Sequence, residues 1–211
     1  MSANPDSLKE RAEGLFTPEV AAQVKAEIDR RCISRLSRQP GVGPLSYVTL
    51  WLGDFEWNRT SSGCFRGEYS LIPKPEKEGW YDYVPNAETP FRFVIDDLTV
   101  TPQAMETDMG SIPKLFRHGH LKPETYLPAY LIHDWLFDDH HKRGDATGIT
   151  FPQSAALLNS AIKTVMTAGG PFRIPGKEST NGPVKKDEDT MFLIYLAVQS
   201  PFAFARWNQR G

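Results

Sequence analysis

The chain has few cysteines, only Cys32 and Cys64 among 211 residues. Cys32 falls in a predicted helix and Cys64 in a turn rich in glycine and serine. No Cys-x-x-Cys pair and no zinc-finger spacing occurs, so neither a disulfide framework nor a zinc finger organises the fold. A reducing compartment such as the cytoplasm is the simplest interpretation of this cysteine content.

The chain also lacks an excess of basic charge and a long apolar run. Its formal net charge of -2 gives no general attraction to nucleic acid or to an anionic membrane. The apolar stretch 191–207 is shorter than the roughly 20 residues of a spanning helix and contains Pro201, so we predict a buried terminal helix there. The first ten residues lack the apolar segment of a secretory signal. We therefore expect no transmembrane segment, no cleaved signal and no clear nucleic-acid binding. A nucleic-acid role ranks third among the hypotheses and rests only on scattered Lys and Arg residues in loops.

The N-terminal region has the pattern of an amphipathic helix. It begins at Thr17-Pro18-Glu19, which supplies a capping hydroxyl, a proline in the first turn and an acid at the positive end. One apolar stripe follows, formed by Val20, Val24, Ile28, Cys32 and Leu36. The helix should end before Pro40. We predict an N-terminal helical extension over residues 1–44 and a single domain over residues 45–211.

Between residues 45 and 101 the pattern changes to short runs rich in β-branched and aromatic residues. We predict strands at 47–52, 67–72 and 91–95, with a further strand at 97–101, in one small and mostly antiparallel sheet. Helical periodicity returns with a helix over Leu127–His140. A Thr-x-x-Gln capping box at Thr150 opens a second helix, which Gly169-Gly170-Pro171 ends. An exposed loop at 171–188 precedes a final helix capped by Asp189-Thr190. The predicted fold class is α+β, with the sheet first and a helical half after it.

The most informative polar residues are His133 and Asp134, which interrupt an apolar helix. Each needs a partner, because burying either one unpaired costs several kcal/mol. Asp134, Asp138 and His141 share one helix face, and Asp108 lies in a polar turn upstream. These four side chains are candidate ligands for a divalent cation, either calcium, manganese or zinc. Alternatively, His133 acts as a general base on water with a carboxylate orienting it.

The end of this helix has a simpler interpretation. Residues 138–143 carry two acids, two histidines and two basic side chains, which is typical of a solvated helix terminus. Histidine and basic residues at a C-terminus also complement the helix dipole. On this interpretation Asp138 and His141 belong to the surface and bind no ligand.

Two segments together resemble a phage and bacterial family known as domain of unknown function 1353. Its members pair a Thr-Asp-x-x-Ser-Ile-Pro turn, present here at residues 107–113, with a His-Asp-x-Leu-Tyr helix, present here from His133. Phe137 stands where the family usually has tyrosine. Ala155-Ala156 stands where the next helix commonly has an Ala-Asp step, so we expect one carboxylate fewer. The resemblance covers about residues 91–168 and implies no particular reaction.

Secreted phospholipases of the A2 class show a weaker likeness. They also place a His-Asp pair on a helix, where the histidine activates water and the aspartate binds calcium. His133 and Asp134 match these two positions. The chain has no disulfide scaffold and no glycine-rich calcium loop, so convergent use of the dipeptide is the better explanation.

Two hypotheses from different classes follow. The first is a metal-assisted hydrolase in which His133, Asp134 and Asp108 form the catalytic group, acting on an envelope component, a lipid or a nucleotide. The second is a non-catalytic phage protein, either a virion or tail component or a factor that binds a host protein, with His133-Asp134 as a structural pair. The resemblance implies a location in the host cytoplasm or on the virion. A site with Asp108 near His133 favours the enzyme, and a sealed, mutually bonded pair favours the structural role.

Overall fold

The computed structural model describes residues 56–109, 123–142, 146–199 and 201–209. After a short helical segment at residues 56–59, all the described strands precede the helices of the second half. This order confirms the predicted α+β class. Residues Leu52–Gly211 group into one compact unit. The predicted N-terminal helix, the strand at 47–52 and the boundary between residues 44 and 45 lie outside the described residues.

The described strands form two antiparallel sheets of three strands, where the sequence predicted one sheet. One sheet has the order β1 (Cys64–Arg66), β4 (Arg92–Ile95), β5 (Leu98–Val100). The other has the order β2 (Tyr69–Pro73), β3 (Tyr81–Pro85), β6 (Met105–Thr107). The predictions at 67–72, 91–95 and 97–101 correspond to β2, β4 and β5. The other three strands were missed. β1 and β6 each have three residues with a single β-branched or aromatic side chain, whereas the equally short β5 has two, and β3 lies among prolines and glycines.

Helices make up most of the second half. A 3-10 helix at Pro123–Tyr126 leads into α1 (Leu127–Lys142), and α2 (Phe151–Thr167) follows it. The predicted capping box is present, since the backbone N–H of Thr150 donates to the side-chain oxygen of Gln153 at 2.8 Å. Gly169 has a φ of +82° just after α2, and a Cβ there would lie 2.1 Å from a backbone oxygen. Only glycine fits that position without strain.

The prediction of one terminal helix was wrong. Two helices occupy the region, α3 (Glu188–Val198) and α4 (Pro201–Trp207). Proline cannot donate the backbone hydrogen bond that would continue α3. The residue that caps α3 is Asp187, and not Asp189-Thr190 as predicted. Its side chain accepts from the backbone N–H of Thr190 at 2.9 Å. No helix in the described ranges has the length and apolar character needed to span a membrane.

Helix α1 lies at the centre of the packing. It contacts α2, meets α4 near its C-terminal end and also touches strand β6. Its buried face carries Leu131, Ile132 and Leu136, each at most 1% exposed. The contact with β6 places the end of that strand beside the middle of α1, where His133 and Asp134 lie.

Candidate functional site

A short hydrogen bond joins the two motifs that the sequence singled out. The hydroxyl of Thr107, at the end of β6, donates to the Oδ2 atom of Asp134 on α1 at 2.6 Å. Thr107 is only 2% exposed, so the bond is shielded from solvent on one side. A hydrogen bond to a charged acceptor contributes about 1.5–3 kcal/mol, roughly twice a neutral one. The polar turn and the His-Asp helix therefore lie close together, as predicted, and contact each other through Thr107 and Asp134.

The turn after Thr107 has an unusual backbone. Met109 has a φ of +60°, in the left-handed region that side chains other than glycine rarely adopt. Its N–H donates to the Thr107 hydroxyl oxygen at 2.9 Å, and its side chain is buried. Such a residue costs roughly 1–3 kcal/mol and persists only where its surroundings hold it. The Thr107 hydroxyl thus fixes both the turn and Asp134.

His133 packs against an aromatic ring and is half-buried as a whole. Its ring centroid is 4.8 Å from that of Phe137, one turn along α1. The Nε2 atom is buried and has no hydrogen-bond partner within the described residues. Burial lowers the pKa of His133 from 6.5 to about 4, because charging the imidazole away from water is unfavourable. The imidazole is therefore neutral at pH 7. His133 and Asp134 are not a mutually bonded pair through Nε2.

The predicted metal ligands differ in their surroundings. Asp108 follows Thr107 directly and is half-buried. Asp138 forms an ion pair with Lys142, four residues along α1. Across the described ranges, no three His, Cys, Asp or Glu side chains are grouped so that they could hold a metal ion. The four-residue ligand set of Asp108, Asp134, Asp138 and His141 stays a prediction.

The histidines at the end of α1 contact helix α4. The Nε2 atom of His141 lies 3.1 Å and 3.0 Å from the carbonyl oxygens of Arg206 and Trp207. Carbonyl oxygens only accept, so Nε2 carries the proton and donates to them. The ring of His140 stacks on Trp207 with centroids 4.1 Å apart. Both histidines thereby attach α4 to α1.

The solvated interpretation of this helix end fails for Asp139, which is 1% exposed. Its Oδ2 atom accepts from both the backbone N–H and the hydroxyl of Thr147, each at 2.9 Å. This carboxylate holds the segment after α1 close to the helix. The sequence gives no local sign of that role, because the partner lies in a loop eight residues away.

Tyr130 is a further polar residue of this region that sequence reasoning missed. It lies one turn before Asp134 on the same face of α1 and is 2% exposed. Its hydroxyl is buried without a hydrogen-bond partner in the described part of the chain. Burial raises the pKa of Tyr130, with smaller contributions from Tyr126 and Asp134. The spacing of four residues from Asp134 was the available signal.

Residues 86–167 match the family model described as "Protein of unknown function (DUF1353)". The matched stretch contains both the turn at Thr107 and the helix with His133-Asp134, so the family resemblance predicted from these motifs is confirmed. Comparisons with curated proteins and with solved structures find no match.

Proposed function

We propose that this chain is a hydrolase whose site is built on His133 and Asp134, with His133 as the general base. The observation that carries the proposal is the buried Nε2 atom, which has no hydrogen-bond partner among the described residues. The lowered pKa of His133 keeps its imidazole neutral at pH 7. A neutral imidazole with an available nitrogen lone pair is the form that accepts a proton from water.

The reaction follows from these roles. Nε2 of His133 removes a proton from a water molecule while the water oxygen attacks the acyl carbon or phosphorus of the substrate. The same proton then passes from His133 to the leaving-group oxygen or nitrogen as its bond breaks. Asp134, fixed by Thr107 at 2.6 Å, supplies a carboxylate of defined position beside the base. Fixed geometry of this kind is what general base catalysis requires.

A divalent cation is the second part of the proposal. Asp108 and Asp134 would be its protein ligands, with calcium, manganese or zinc as the ion. Asp138 and His141 already have protein partners in Lys142 and in the carbonyl oxygens of α4, so the proposal relies less on them. Carboxylate oxygens suit calcium and manganese better than zinc.

Thermal melts test the cation independently of any substrate. A cation at about 100 times its dissociation constant stabilises the folded chain by about 2.7 kcal/mol, which is several degrees for a chain of this size. We expect a shift with one of the three ions, absent with chelator and lost in Asp134→Asn. The exposed Asp97→Asn is the matched control and should keep the shift. A shift that survives in Asp134→Asn would contradict the assignment.

Hydrolysis is tested with p-nitrophenyl acetate and bis(p-nitrophenyl) phosphate as acyl and phosphoryl probes. His133→Asn should lower the measured rate by at least about 100-fold, the usual contribution of a general base. His140→Asn, on the same helix but stacked on Trp207, should keep the wild-type rate. Equal rates for His133→Asn and the wild type would rule out His133 as the base.

A second candidate function is a non-catalytic phage protein that binds a host protein or belongs to a virion. The Thr107–Asp134 bond favours it, because the same bond would simply fasten β6 to α1. Under this alternative, Asp134→Asn and His133→Asn change only the melting temperature. Neither variant then alters a cation response or a hydrolytic rate.

A further inference from the structure

Two buried polar atoms on one side of α1 lack partners in the described structure. They are the hydroxyl of Tyr130 and the Nε2 atom of His133. Residues three apart on a helix are surface neighbours, so the two side chains leave the helix in adjacent positions. Each unsatisfied buried group costs about 1–3 kcal/mol. A tyrosine and a histidine at these positions are therefore unfavourable for folding unless a ligand completes their hydrogen bonds.

Other buried polar side chains of the same chain show that the fold can provide partners. The hydroxyl of Tyr69 donates to the carbonyl oxygen of Pro171 at 2.6 Å. The buried carboxylate of Glu56 accepts from the Asn159 amide at 2.6 Å and from the Arg59 side chain. Tyr83, in the sheet core, is the one other tyrosine whose buried hydroxyl lacks a partner in the described ranges. Tyr83 is a suitable control for Tyr130, because it lies in a strand and has no unpartnered histidine next to it in the sequence.

The chemistry of the two groups selects the ligand. A tyrosine hydroxyl is protonated at neutral pH, since its ordinary pKa is about 10. It can donate one hydrogen bond. The neutral His133 imidazole accepts one at Nε2 in the tautomer that carries its proton on Nδ1. A ligand that accepts from the Tyr130 hydroxyl and donates to His133 Nε2 can do both through one O–H group. Water is the smallest ligand of this kind. Two polar partners are enough to hold a buried water.

We propose that Tyr130 and His133 hold one water molecule between them, and that Tyr130 orients this water for deprotonation by His133. The inference deepens the proposed function and rests on it for the role of the water as nucleophile. The binding of the water itself does not depend on catalysis. Tyr130 becomes a water-binding residue of the site, one turn before the carboxylate that Thr107 fixes.

A crystal structure of the full chain near 1.5 Å resolution tests the water directly. We expect one solvent oxygen within hydrogen-bond distance of both Tyr130 Oη and His133 Nε2, and its loss in Tyr130→Phe. The control is Tyr83→Phe, which also removes one buried hydroxyl and should keep the solvent molecule. Absence of a shared solvent oxygen in the wild type would overturn the proposal.

The nitrogen NMR resonance of His133 gives a second test, because replacing a tyrosine with a purely structural role would not change it. The Nε2 resonance of His133 should shift in Tyr130→Phe and stay in place in Tyr83→Phe, because only the first variant removes the water that donates to it. Equal resonances in both variants would overturn the inference. The hydrolase proposal fails in a different experiment. It is wrong if His133→Asn keeps the wild-type rate, even where the wild-type crystal contains the water and Tyr130→Phe shifts the Nε2 resonance.

Discussion

The titration of His133 gives the sharpest quantitative test of how deeply its imidazole is buried. In the folded chain burial lowers the pKa of His133 to about 4, against an ordinary value of 6.5. As the pH falls below 6.5, the unfolded chain takes up a proton that the folded chain does not. Stability is therefore lost as the pH falls through this window. At 1.36 kcal/mol per pH unit, the loss from this residue is at most about 3 kcal/mol near pH 4, and about 2 kcal/mol at pH 5.

The assay is urea unfolding of the wild type and of His133→Asn at several pH values between 7.5 and 5. Asparagine cannot titrate, so the difference between the two chains isolates the histidine from the carboxylates that also change charge. We expect the wild type to lose about 2 kcal/mol more than the variant over this range. For a chain of this size that is about 4–8 °C in melting temperature. Parallel curves for the two chains would refute the burial argument.

NMR titration of the five histidines supplies the microscopic check. The resonance that is missing in the His133→Asn spectrum identifies the residue, and its midpoint in the wild type should lie near pH 4. His140→Asn serves as the control, because it removes a histidine from the same helix without touching the buried Nε2 atom. A midpoint near 6.5 for the His133 signal would mean that water reaches the imidazole freely.

Three other substitutions probe the contacts around the site. Thr107→Val should destabilise the chain by about 2 kcal/mol in urea unfolding, since Asp134 loses a charged hydrogen bond, and Thr107→Ser should restore most of it. If serine behaves like valine, the hydroxyl is not the cause. Trp207→Ala should cost about 3 kcal/mol in the same assay, because it removes a buried indole that stacks on His140. A cost below 1 kcal/mol would show that α4 does not depend on this contact. Asn159→Ala should cost about 1.5–3 kcal/mol, since the buried Glu56 loses its 2.6 Å amide partner; an unchanged midpoint would place that carboxylate in water.

The helices could be predicted where local chemistry determines them. Thr150 and Gln153 carry their capping signal within four residues, and the glycine after α2 ends the helix through its own backbone freedom. The strands were harder, because three residues contain too little alternation to identify β1 or β6. Their pairing is set by tertiary contacts, as in the register of Cys64 with Val94. The break between α3 and α4 falls at Pro201, which lacks the N–H that would continue α3.

The residues of the candidate site also differ in whether the local sequence or only the folded structure reveals them. His133 and Asp134 stand out in sequence because polar groups in an apolar helix need partners. Thr107 was recognised as part of a motif, but its bond to Asp134 spans 27 residues and no local pattern specifies it. Tyr130 looks like an ordinary core residue, since tyrosine is common in apolar helices. Its unsatisfied hydroxyl is a property of the packed structure alone.

Several energetically unfavourable features lie beside Asp134. The left-handed Met109, the unpartnered Nε2 of His133 and the unpartnered hydroxyl of Tyr130 belong to β6, the turn after it and the facing part of α1. Each costs roughly 1–3 kcal/mol, and a whole domain is stable by only about 5–15 kcal/mol. Substituting phenylalanine for Tyr130 or glycine for Met109 would relieve part of this cost. Features of this kind also occur elsewhere in the described residues, at the left-handed Asp96 and at the unpartnered polar atoms of Tyr83, Asp139 and Asn159. Three of them adjoin Asp134, and since such features often mark places where binding or catalysis requires them, they support a functional site over a structural pair.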